Sequence, residues 1–236
     1  MTTAWPKQLP SLTPEQQAVR DDFVRHWHEV LPRRYGAIER FNHRYPLRSL
    51  VRRDDRIVRT LEIGAGLGEH LEYEDLGSQD YTCLELRPDL VARLRERFPG
   101  ITAIVGDCQE ALPFDDGHFD RAIAVHVLEH LPNLPAALDQ LRRVVRPGGL
   151  LGIVIPCDPG LAYGFARRIS AKREFERRYG QPYEWFIRLE HLNSPREIVQ
   201  LLDERFCRVH SRYFPLRARL TTINLCLGLT VEVPGG

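Results

Sequence analysis

The sequence predicts a doubly wound α/β sheet, and two observations carry that prediction. From residue 58 to residue 155, short apolar runs of strand length alternate with longer segments whose apolar residues recur at helical spacing. The short runs are apolar almost throughout, as in parallel strands that are covered on both faces. Such an alternation places helices on both faces of one largely parallel sheet.

Length, composition and charge fit an ordinary globular protein. The 236 residues suffice for one large domain, or for one domain with an added cap. Hydrophobic residues make up 43% of the chain and charged residues 28%, so the composition gives no sign of a disordered or fibrous chain. The formal net charge of +1 gives no overall argument for a nucleic-acid or membrane-surface partner.

Cysteine usage and hydropathy predict a cytoplasmic protein without a membrane span. The five cysteines are scattered and form no C-x-x-C pair, so neither a zinc site nor a disulfide framework is predicted. The first residues lack the basic and apolar regions of a secretory signal. The longest uncharged run, 220–231, is shorter than the about 20 residues that a span needs.

Residues 1–57 are predicted to form an N-terminal helical cap. Thr13 is a candidate N-cap, Pro14 suits the first helical turn, and Gln16 completes a capping box. An apolar stripe at helical spacing follows, so one face of this helix is predicted to pack inward. The stripe consists of Val19, Phe23, Trp27 and Val30.

Residues 33–59 are rich in arginine. In the simpler interpretation these side chains form a solvated, ion-paired surface. In the alternative, they belong to a cap that recognises an anionic substrate group such as a phosphate. The arginines are Arg33, Arg34, Arg40, Arg44, Arg48, Arg52, Arg53, Arg56 and Arg59.

The remaining elements follow in order along the chain. Helices are predicted over 88–98 and 134–145. A third begins at Ser194, a candidate N-cap with Pro195 in the first turn and Glu197 closing a capping box. The predicted strands are 58–63, 81–86, 101–105, 119–127, 150–155, 207–213 and 220–233.

The first predicted strand runs directly into Gly64, Gly66 and Gly68. Glycine admits backbone angles that side chains forbid and lets a ligand approach the main chain. A helix predicted to start at Glu69 would direct its free N–H groups at this loop, which favours an anionic or polar ligand group. The order G-x-G-x-G differs from the G-x-G-x-x-G fingerprint of dinucleotide sites, because Glu69 stands where the third glycine would be.

This loop, together with Glu62 two residues before its first glycine, resembles motif I of the class I S-adenosylmethionine (AdoMet)-dependent methyltransferases. Residues 112–120 resemble the family's L-P-F-x-D-x-x-F-D signature, and 145–149 resemble its L-R-P-G-G turn with valine for leucine. The resemblance covers about residues 58–157. It implies a Rossmann-like, seven-stranded, mostly parallel sheet with a C-terminal antiparallel hairpin, and an N-terminal helical cap that often covers the active site.

The resemblance also implies AdoMet as the cofactor and assigns residues to it. Glu85, at the end of the second strand, would accept hydrogen bonds from both ribose hydroxyls. Asp107 would accept one from the adenine amino group, beside the backbone N–H of Cys108. The full predicted cofactor set is Glu62, Gly64, Ala65, Gly66, Gly68, Glu85, Leu86, Asp107, Cys108 and His126.

Residues 126–130 read H-x-x-E-H, a zinc-protease pattern. That chemistry needs both histidines on one face of a long helix, whereas His126 ends a predicted strand and Pro132 follows closely. Some of the resembled methyltransferases bind a divalent metal through E-x-x-E-H, but His126 replaces the first glutamate here, and no metal is predicted. His126 and His191 are the predicted catalytic bases, because histidine has an ordinary pKa near about 6.5. His130 is predicted to be structural.

Three further features of the sequence can each be interpreted in more than one way. Cys157 follows the fifth strand, as the nucleophile of cytosine-C5 methyltransferases does, but their other motifs are missing and no covalent role is predicted. Residues 158–193 are either an amphipathic helix at the sheet edge or a substrate-binding insertion, and the two are compatible. His191 either acts as a base near the pocket or braces the helix that begins at Ser194.

The sequence thus predicts an AdoMet-dependent methyltransferase with a cap (1–57) and a methyltransferase domain (58–236) that contains the insertion 158–193. The predicted acceptor is O or N of a small or carrier-linked metabolite, and the arginine-rich flanks favour an anionic one. The alternatives are an RNA methyltransferase, a non-catalytic AdoMet-binding partner domain and a nicotinamide dehydrogenase. Balanced charge argues against the first of these, so no nucleic-acid partner is expected, and the missing third glycine argues against the last.

Overall fold

The computed structural model describes residues 4–34, 36–50 and 57–235, and the side chains of 27–34 fall outside that description. The strands are β1 (Val58–Ile63), β2 (Gln79–Glu85), β3 (Thr102–Val105), β4 (Phe119–Val125), β5 (Val145–Pro156), β6 (Cys207–Phe214) and β7 (Cys226–Glu232). The helices are α1 (Pro14–Arg34), α2 (Gly36–Arg44), α3 (Pro88–Arg97), α4 (Leu134–Val144), α5 (Leu161–Arg167), α6 (Arg173–Tyr179), α7 (Glu184–Glu190) and α8 (Pro195–Arg205). The predictions for Trp27, Val30, Arg33, Arg34, Arg52, Arg53 and Arg56 lie outside the described residues.

The strands form one sheet in the order β3-β2-β1-β4-β5-β7-β6. Strands β1 to β5 pair in parallel, and β7 runs antiparallel to both β5 and β6. Ile63 lies opposite Leu84 and Ala124, so the carboxyl ends of β1, β2 and β4 meet at one edge. The predicted doubly wound, seven-stranded sheet with its C-terminal antiparallel hairpin is confirmed.

Apart from the connection between β1 and β2, element limits between residues 58 and 144 agree with the predictions to within two residues. Strand β5 differs more, because it begins at Val145 rather than at residue 150. The turn before it joins the ladder: Gly148 N donates to Val233 O, and Val233 N donates to Gly149 O, both at 2.9 Å. The predicted helix-breaking turn is therefore also the first part of the strand.

Strand β7 begins at Cys226 rather than at residue 220. The buried side chain of Asn224 explains the difference, since it donates to the carbonyl oxygens of Ala218 and Leu220 at 3.0 and 2.9 Å. The backbone before β7 is thus hydrogen-bonded to the side chain of Asn224 rather than to a neighbouring strand.

Two layers cover the sheet. On one face, α4 and α8 pack against apolar residues of the parallel strands, among them Leu61, Ile63 and Ala124. On the other face, α3 covers β2 and its neighbours through Val91 and Leu94. Parallel strands that are buried on both faces read as the near-continuous apolar runs seen in the sequence.

Residues 36–49 also lie on the second face of the sheet. A Cβ atom at Gly228 would lie 2.5 Å from the ring of Tyr45, and one at Gly152 would lie 2.7 Å from Ser49 Oγ. Glycines in β5 and β7 thus allow this segment to pack directly on the strands. This part of the predicted cap is a covering layer of the sheet.

Helix α1 packs elsewhere. Its predicted capping box is confirmed, because Gln16 N donates to Thr13 Oγ1 at 3.2 Å and Thr13 N donates to Gln16 Oε1 at 3.1 Å. The stripe residue Phe23 is 1% exposed and meets the rings of Phe175 and Phe186 edge to face at 5.0 and 5.2 Å. Helix α1 therefore packs on α6 and α7, which belong to the predicted insertion 158–193.

The predicted helix after the glycine loop is wrong. Between β1 and β2 the chain forms only two single 3₁₀ turns, Leu71–Tyr73 and Leu76–Ser78. In this connection Glu74 points inward and pairs with the buried Arg121 at 2.9 Å, and His70 Nε2 lies 2.9 Å from Glu74. Turns form here instead of a helix because the connection is short and its polar side chain Glu74 must point inward to reach the buried Arg121. Within the described ranges, no helix combines the length and apolarity that crossing a bilayer requires.

Candidate active site

Three positive backbone angles shape the glycine loop. Gly64, Gly66 and Gly68 have φ values of 62°, 57° and 81°, a region that side chains rarely adopt. A Cβ atom at Gly64 would lie 2.6 Å from Val127, so the loop touches the segment that follows β4. A Cβ atom at Gly68 would lie 2.5 Å from Phe98, so this glycine packs against the end of α3 instead.

The backbone amides of this loop donate to carboxylates. Gly66 N donates to Glu85 Oε2 at 3.1 Å, and Leu67 N donates to Glu69 Oε2 at 3.2 Å. In this structure both amides are therefore paired with carboxylates of the chain itself, and the predicted preference for an anionic or polar ligand group stays a prediction. The acidic loop fits a ligand that carries positive charge, such as a sulfonium or an ammonium group, since opposite charges attract at this range.

The residues predicted to hold ribose and adenine lie at neighbouring strand ends. Glu85 is buried, and its carboxylate keeps acceptor capacity beyond its contact with the loop. Leu86 beside it is 62% exposed, an apolar side chain open to a ligand. Asp107 accepts from Gln109 N at 2.9 Å. Burial raises the pKa of the Cys108 thiol to about 12, which keeps the thiol protonated.

Glu62 lies inside the sheet. It is 3% exposed, and Tyr81 Oη donates to its Oε2 atom at 2.8 Å. Burial raises the pKa of Glu62 to about 8, so the carboxyl group is largely protonated at neutral pH. A buried, protonated carboxyl group that accepts a hydrogen bond from Tyr81 favours a structural role for Glu62 at the base of the loop. The predicted direct contact of Glu62 with a cofactor is less favoured.

His126 connects β4 to the segment beside the loop. It has a φ of 53°, an unusual value for a residue with a side chain, which often marks a functional site. Its Nδ1 atom lies 3.0 Å from Oε1 of Glu129, whose side chain is 1% exposed. The imidazole itself is 30% exposed, so this pair joins a buried carboxylate to an accessible ring.

This pairing changes the chemistry expected of His126. Burial lowers its pKa, but hydrogen bonds with Cys226 and Glu129 and the negative charge of Glu129 outweigh burial and raise the pKa to about 10. The ring is therefore an imidazolium at neutral pH, and an imidazolium has no lone pair with which to take a proton. The predicted role of His126 as a base with an ordinary pKa does not agree with this geometry.

His191 has a different partner. Its Nδ1 atom lies 2.8 Å from Asp158 Oδ2, and Arg167 Nη1 donates to the same oxygen at 2.6 Å. Burial raises the pKa of Asp158, but the hydrogen bonds and charges of His191 and Arg167 outweigh burial and lower it. An ionised carboxylate at Nδ1 fixes the tautomer that leaves Nε2 as a proton acceptor. Tyr163 lies beside this pair, with its ring centroid 5.8 Å from that of His191.

Backbone contacts bring His191 to the segment after β4. Leu192 N and Asn193 N both donate to Glu129 O, at 2.8 and 3.0 Å. Asn193 Nδ2 also donates to the carbonyl oxygens of Leu128 and Leu131, at 2.7 and 2.8 Å. The ring of His191 consequently lies 5.6 Å from that of His130, edge to face. These contacts thus place His191 in one cluster with His126, the other predicted base, next to the glycine loop.

Sequence reasoning missed Asp158 and Asn193. Asp158 follows β5 directly, and a carboxylate at a parallel strand end was a signal that could have been used. Asn193 gave no such signal, because its partners are backbone carbonyls more than sixty positions away. The predicted capping box of Ser194 and Glu197, which fixes the start of α8 beside His191, is confirmed.

Two other chemistries find little support here. Cys157 has no exposed surface, and burial raises the pKa of its thiol to about 12, so a thiolate nucleophile is not available. Among residues 4–34, 36–50 and 57–235, no group of three or more His, Cys, Asp or Glu side chains is arranged to hold a metal ion.

A family model described as a methyltransferase domain matches residues 61–153. The chain is 34% identical over 105 residues to a probable phthiotriol/phenolphthiotriol dimycocerosates methyltransferase 2 from Mycobacterium ulcerans, a match to 42% of this chain and 40% of that protein. It is 35% identical over 97 residues to a malonyl-[acyl-carrier protein] O-methyltransferase from Erwinia pyrifoliae, covering 41% and 37%. The matches thus span about two fifths of these relatives.

Solved structures share the fold over nearly the whole chain. The N-methyltransferase NodS from Bradyrhizobium japonicum, in complex with S-adenosyl-L-homocysteine, has a TM-score of 0.62 at 16% identity, covering 93% of this chain and 98% of that one. The [4+2]-cyclase SpnF has a TM-score of 0.65 at 17% identity, covering 98% and 100%. At such identities the likeness concerns the fold alone. Residues 61–153 thus match a methyltransferase domain, and the chain as a whole shares the fold of these solved structures.

Proposed function

We propose that this chain transfers the methyl group of AdoMet to a hydroxyl oxygen of a small or carrier-linked metabolite. The observation that carries the choice of oxygen is the pair of His191 and Asp158, joined at 2.8 Å. A hydroxyl acceptor must lose a proton during transfer, and a carboxylate-oriented imidazole is a group that can accept it. An amine acceptor needs no such base, and nitrogen remains the alternative acceptor.

The residues at the strand ends fit the cofactor. We assign Gly64, Ala65 and Gly66 to its methionine end, where the acidic loop suits its positive charges, whereas Gly68 packs against the end of α3 and supports the loop. Glu85 would accept hydrogen bonds from the ribose hydroxyls, and three further residues would contact the adenine ring. Those contacts would come from Leu86, Asp107 and Cys108. When bound, AdoMet supplies a methyl group already activated on sulfur.

The chain's own residues then have three tasks. The loop and the segment that begins at His126 hold the reacting groups in line, an orientation effect that can supply up to about 7–11 kcal/mol. His191 Nε2 takes the hydroxyl proton, and Asp158 stabilises the imidazolium that results. His126, already positively charged, acts as a hydrogen-bond donor to cofactor or substrate rather than as a base.

Relatives support the class of acceptor. Two of them are named for acyl substrates: the malonyl-[acyl-carrier protein] O-methyltransferase described above and a fatty-acid O-methyltransferase from Mycolicibacterium smegmatis. Among the basic residues predicted to bind an anionic acceptor group, Arg167, Lys172, Arg177 and Arg178 pair with acidic side chains of the chain itself. The fold alone does not decide the reaction, because one chain that shares it is named a cyclase.

The decisive experiment offers the purified chain AdoMet with a labelled methyl group and sets of hydroxyl and amine acceptors, free and carrier-bound. We expect label on hydroxyl acceptors, and a kcat about 10²–10⁴-fold lower for His191→Ala, with unchanged AdoMet affinity by calorimetry. His130→Ala, which removes the neighbouring ring, is the matched control and should cost little.

Two outcomes would contradict the proposal. If AdoMet binds but no acceptor is labelled, the chain is a non-catalytic AdoMet-binding domain. If amines are labelled and His191→Ala has full activity, the reaction is N-methylation without this base.

A further inference from the structure

One surface of the molecule exposes an unusual number of large apolar side chains. Among the described residues eleven are exposed, and six of these belong to two neighbouring segments. The first segment is α5 with the π-helical turn Arg168–Lys172, and the second is 216–223. The six side chains, with their exposed fractions, are Leu161 (78%), Phe165 (67%), Ile169 (61%), Leu216 (50%), Leu220 (57%) and Ile223 (37%). We call these residues the apolar face.

Its geometry is that of an amphipathic helix with a flanking loop. Leu161, Phe165 and Ile169 are four residues apart, so they form one stripe along the outer side of the helix. The two segments touch, because a Cβ atom at Gly160 would lie 2.6 Å from the carbonyl oxygen of Thr221. The two segments therefore adjoin, and exposed apolar side chains gathered on neighbouring segments mark interaction sites.

The two segments of the apolar face are rich in basic residues and lack acidic ones in their own sequence. Residues 159–173 contain four basic residues and no acidic one, and residues 205–231 contain five and none. The whole chain has a net charge of +1, so this balance is local to the two segments. Arg168 lies within the helical stripe's segment, and Arg217 and Arg219 lie beside Leu216 and Leu220. Lys172, by contrast, pairs with Glu176 and Glu184. An anionic partner is the electrostatic complement of this surface.

The observations favour a lipid surface over the other anionic partners. Protruding aliphatic and phenylalanine side chains gain free energy by entering an acyl-chain region, while arginine and lysine reach the headgroups. Single-stranded nucleic acid is bound by aromatic stacking platforms, and Phe165 is the one aromatic residue of the apolar face. We propose that the apolar face docks this chain on an anionic phospholipid bilayer, lying on the surface without crossing it.

The opposite side of the same helix reaches the candidate active site. Tyr163 lies beside His191, and Arg167 binds Asp158 at 2.6 Å. A bilayer against the apolar face would thus lie one helix diameter from the proposed base. If the proposed methyl transfer holds, the acceptor class this geometry favours is a lipid-borne hydroxyl. Docking on the bilayer does not depend on that step.

Vesicle sedimentation with the full chain tests the docking. Wild type should sediment with vesicles of phosphatidylcholine and phosphatidylglycerol, and much less with phosphatidylcholine alone. The double variant Phe165→Glu, Ile169→Glu should lower the partition coefficient by about tenfold or more. Arg217→Glu with Arg219→Glu should lower it by about fivefold for each arginine. The matched control is Leu9→Glu, in the N-terminal segment, which changes a side chain that is 52% exposed outside both basic segments.

Thermal unfolding and AdoMet calorimetry verify that each variant is folded. Equal sedimentation of wild type and the Phe165→Glu, Ile169→Glu variant would overturn the proposal, as would equal binding to neutral and anionic vesicles. So would binding of an acidic acyl carrier protein through these residues without any vesicle binding. The methyl-transfer assay with water-soluble acceptors is read separately, so failure of the reaction leaves a positive vesicle result intact.

Discussion

Nδ1 of His191 lies 2.8 Å from Oδ2 of Asp158, and the carboxylate is held in turn by Arg167. This relationship makes Asp158 a positioning residue for the proposed base. Asp158→Asn should lower kcat by about a hundredfold or more, because an amide neither fixes the same tautomer nor stabilises the imidazolium. Steady-state kinetics with a hydroxyl acceptor measure the effect, with KM for AdoMet expected to change little.

A purely structural role for Asp158 would give a different pattern. Arg167→Gln leaves the carboxylate in place and should cost kcat less than Asp158→Asn. Equal losses in the two variants, together with a lower melting temperature in both, would mean that the cluster supports the fold and not the reaction.

The pair of His126 and Glu129 predicts a dependence of stability on alkaline pH. The pKa of His126 is raised to about 10 in the folded chain, compared with about 6.5 when unfolded. The folded state therefore binds the proton more tightly, and the stabilisation is complete below about pH 6.5 and lost as the pH rises towards 10. Denaturant unfolding over this window should show the decline in wild type and a weaker decline in Glu129→Gln.

Other groups also titrate at alkaline pH. The test is therefore the difference between wild type and Glu129→Gln in how their free energies of unfolding change with pH. His126→Asn, which removes the titrating ring, should flatten the curve in the same way as Glu129→Gln. If all three proteins lose stability in parallel, the His126 pKa is not raised by this pair.

Most of the fold could be predicted because its signals are local. Strand β1 was predicted at its observed limits because its apolar residues Val58, Leu61 and Ile63 run directly into the glycine loop. The connection after β1 failed for the opposite reason. Its conformation depends on Arg121, which is distant in sequence and draws Glu74 inward, and no local pattern reveals such a partner.

The residues of the candidate site likewise fall into those that the sequence could identify and those whose roles depend on distant partners. The glycine loop and Glu85 are spaced in sequence as the resemblance requires, so they could be identified before the fold was known. The protonation of His126 depends on Cys226, a hundred positions away, and the orientation of His191 depends on Asp158 across the insertion. Residue type and position suggested His126 as the first candidate base and His191 as the second, and the packed structure favours His191.

The buried ion pair of Arg121 and Glu74 predicts a large effect on stability. Arg121 is 1% exposed and also donates to Ser49 Oγ at 3.1 Å and to Pro46 O at 3.1 Å, which ties residues 46–49 to the sheet. Arg121→Met should lower the free energy of unfolding by about 3–5 kcal/mol, since the buried Glu74 carboxylate loses its guanidinium partner. Arg121→Met combined with Glu74→Gln should recover part of the loss. A single variant as stable as wild type in denaturant unfolding would contradict this account.

The last prediction separates two glycines of one loop. A Cβ atom at Gly66 would approach only Glu69 Oε2, at 3.4 Å, whereas one at Gly68 would lie within 2.9 Å of Phe98, Leu71 and Leu94. Gly66→Ala should therefore cost only the backbone strain of about 1–2 kcal/mol and weaken AdoMet binding through the methyl group added to the loop. Gly68→Ala should cost about 2–5 kcal/mol of stability, because strain and overpacking combine.

Denaturant unfolding and AdoMet calorimetry on the two variants measure both effects. The expected contrast is a folded Gly66→Ala protein with weakened cofactor binding and a clearly destabilised Gly68→Ala protein. Unchanged AdoMet affinity in folded Gly66→Ala would remove the loop from the cofactor site, because that variant alters the loop at a position with space for the methyl group.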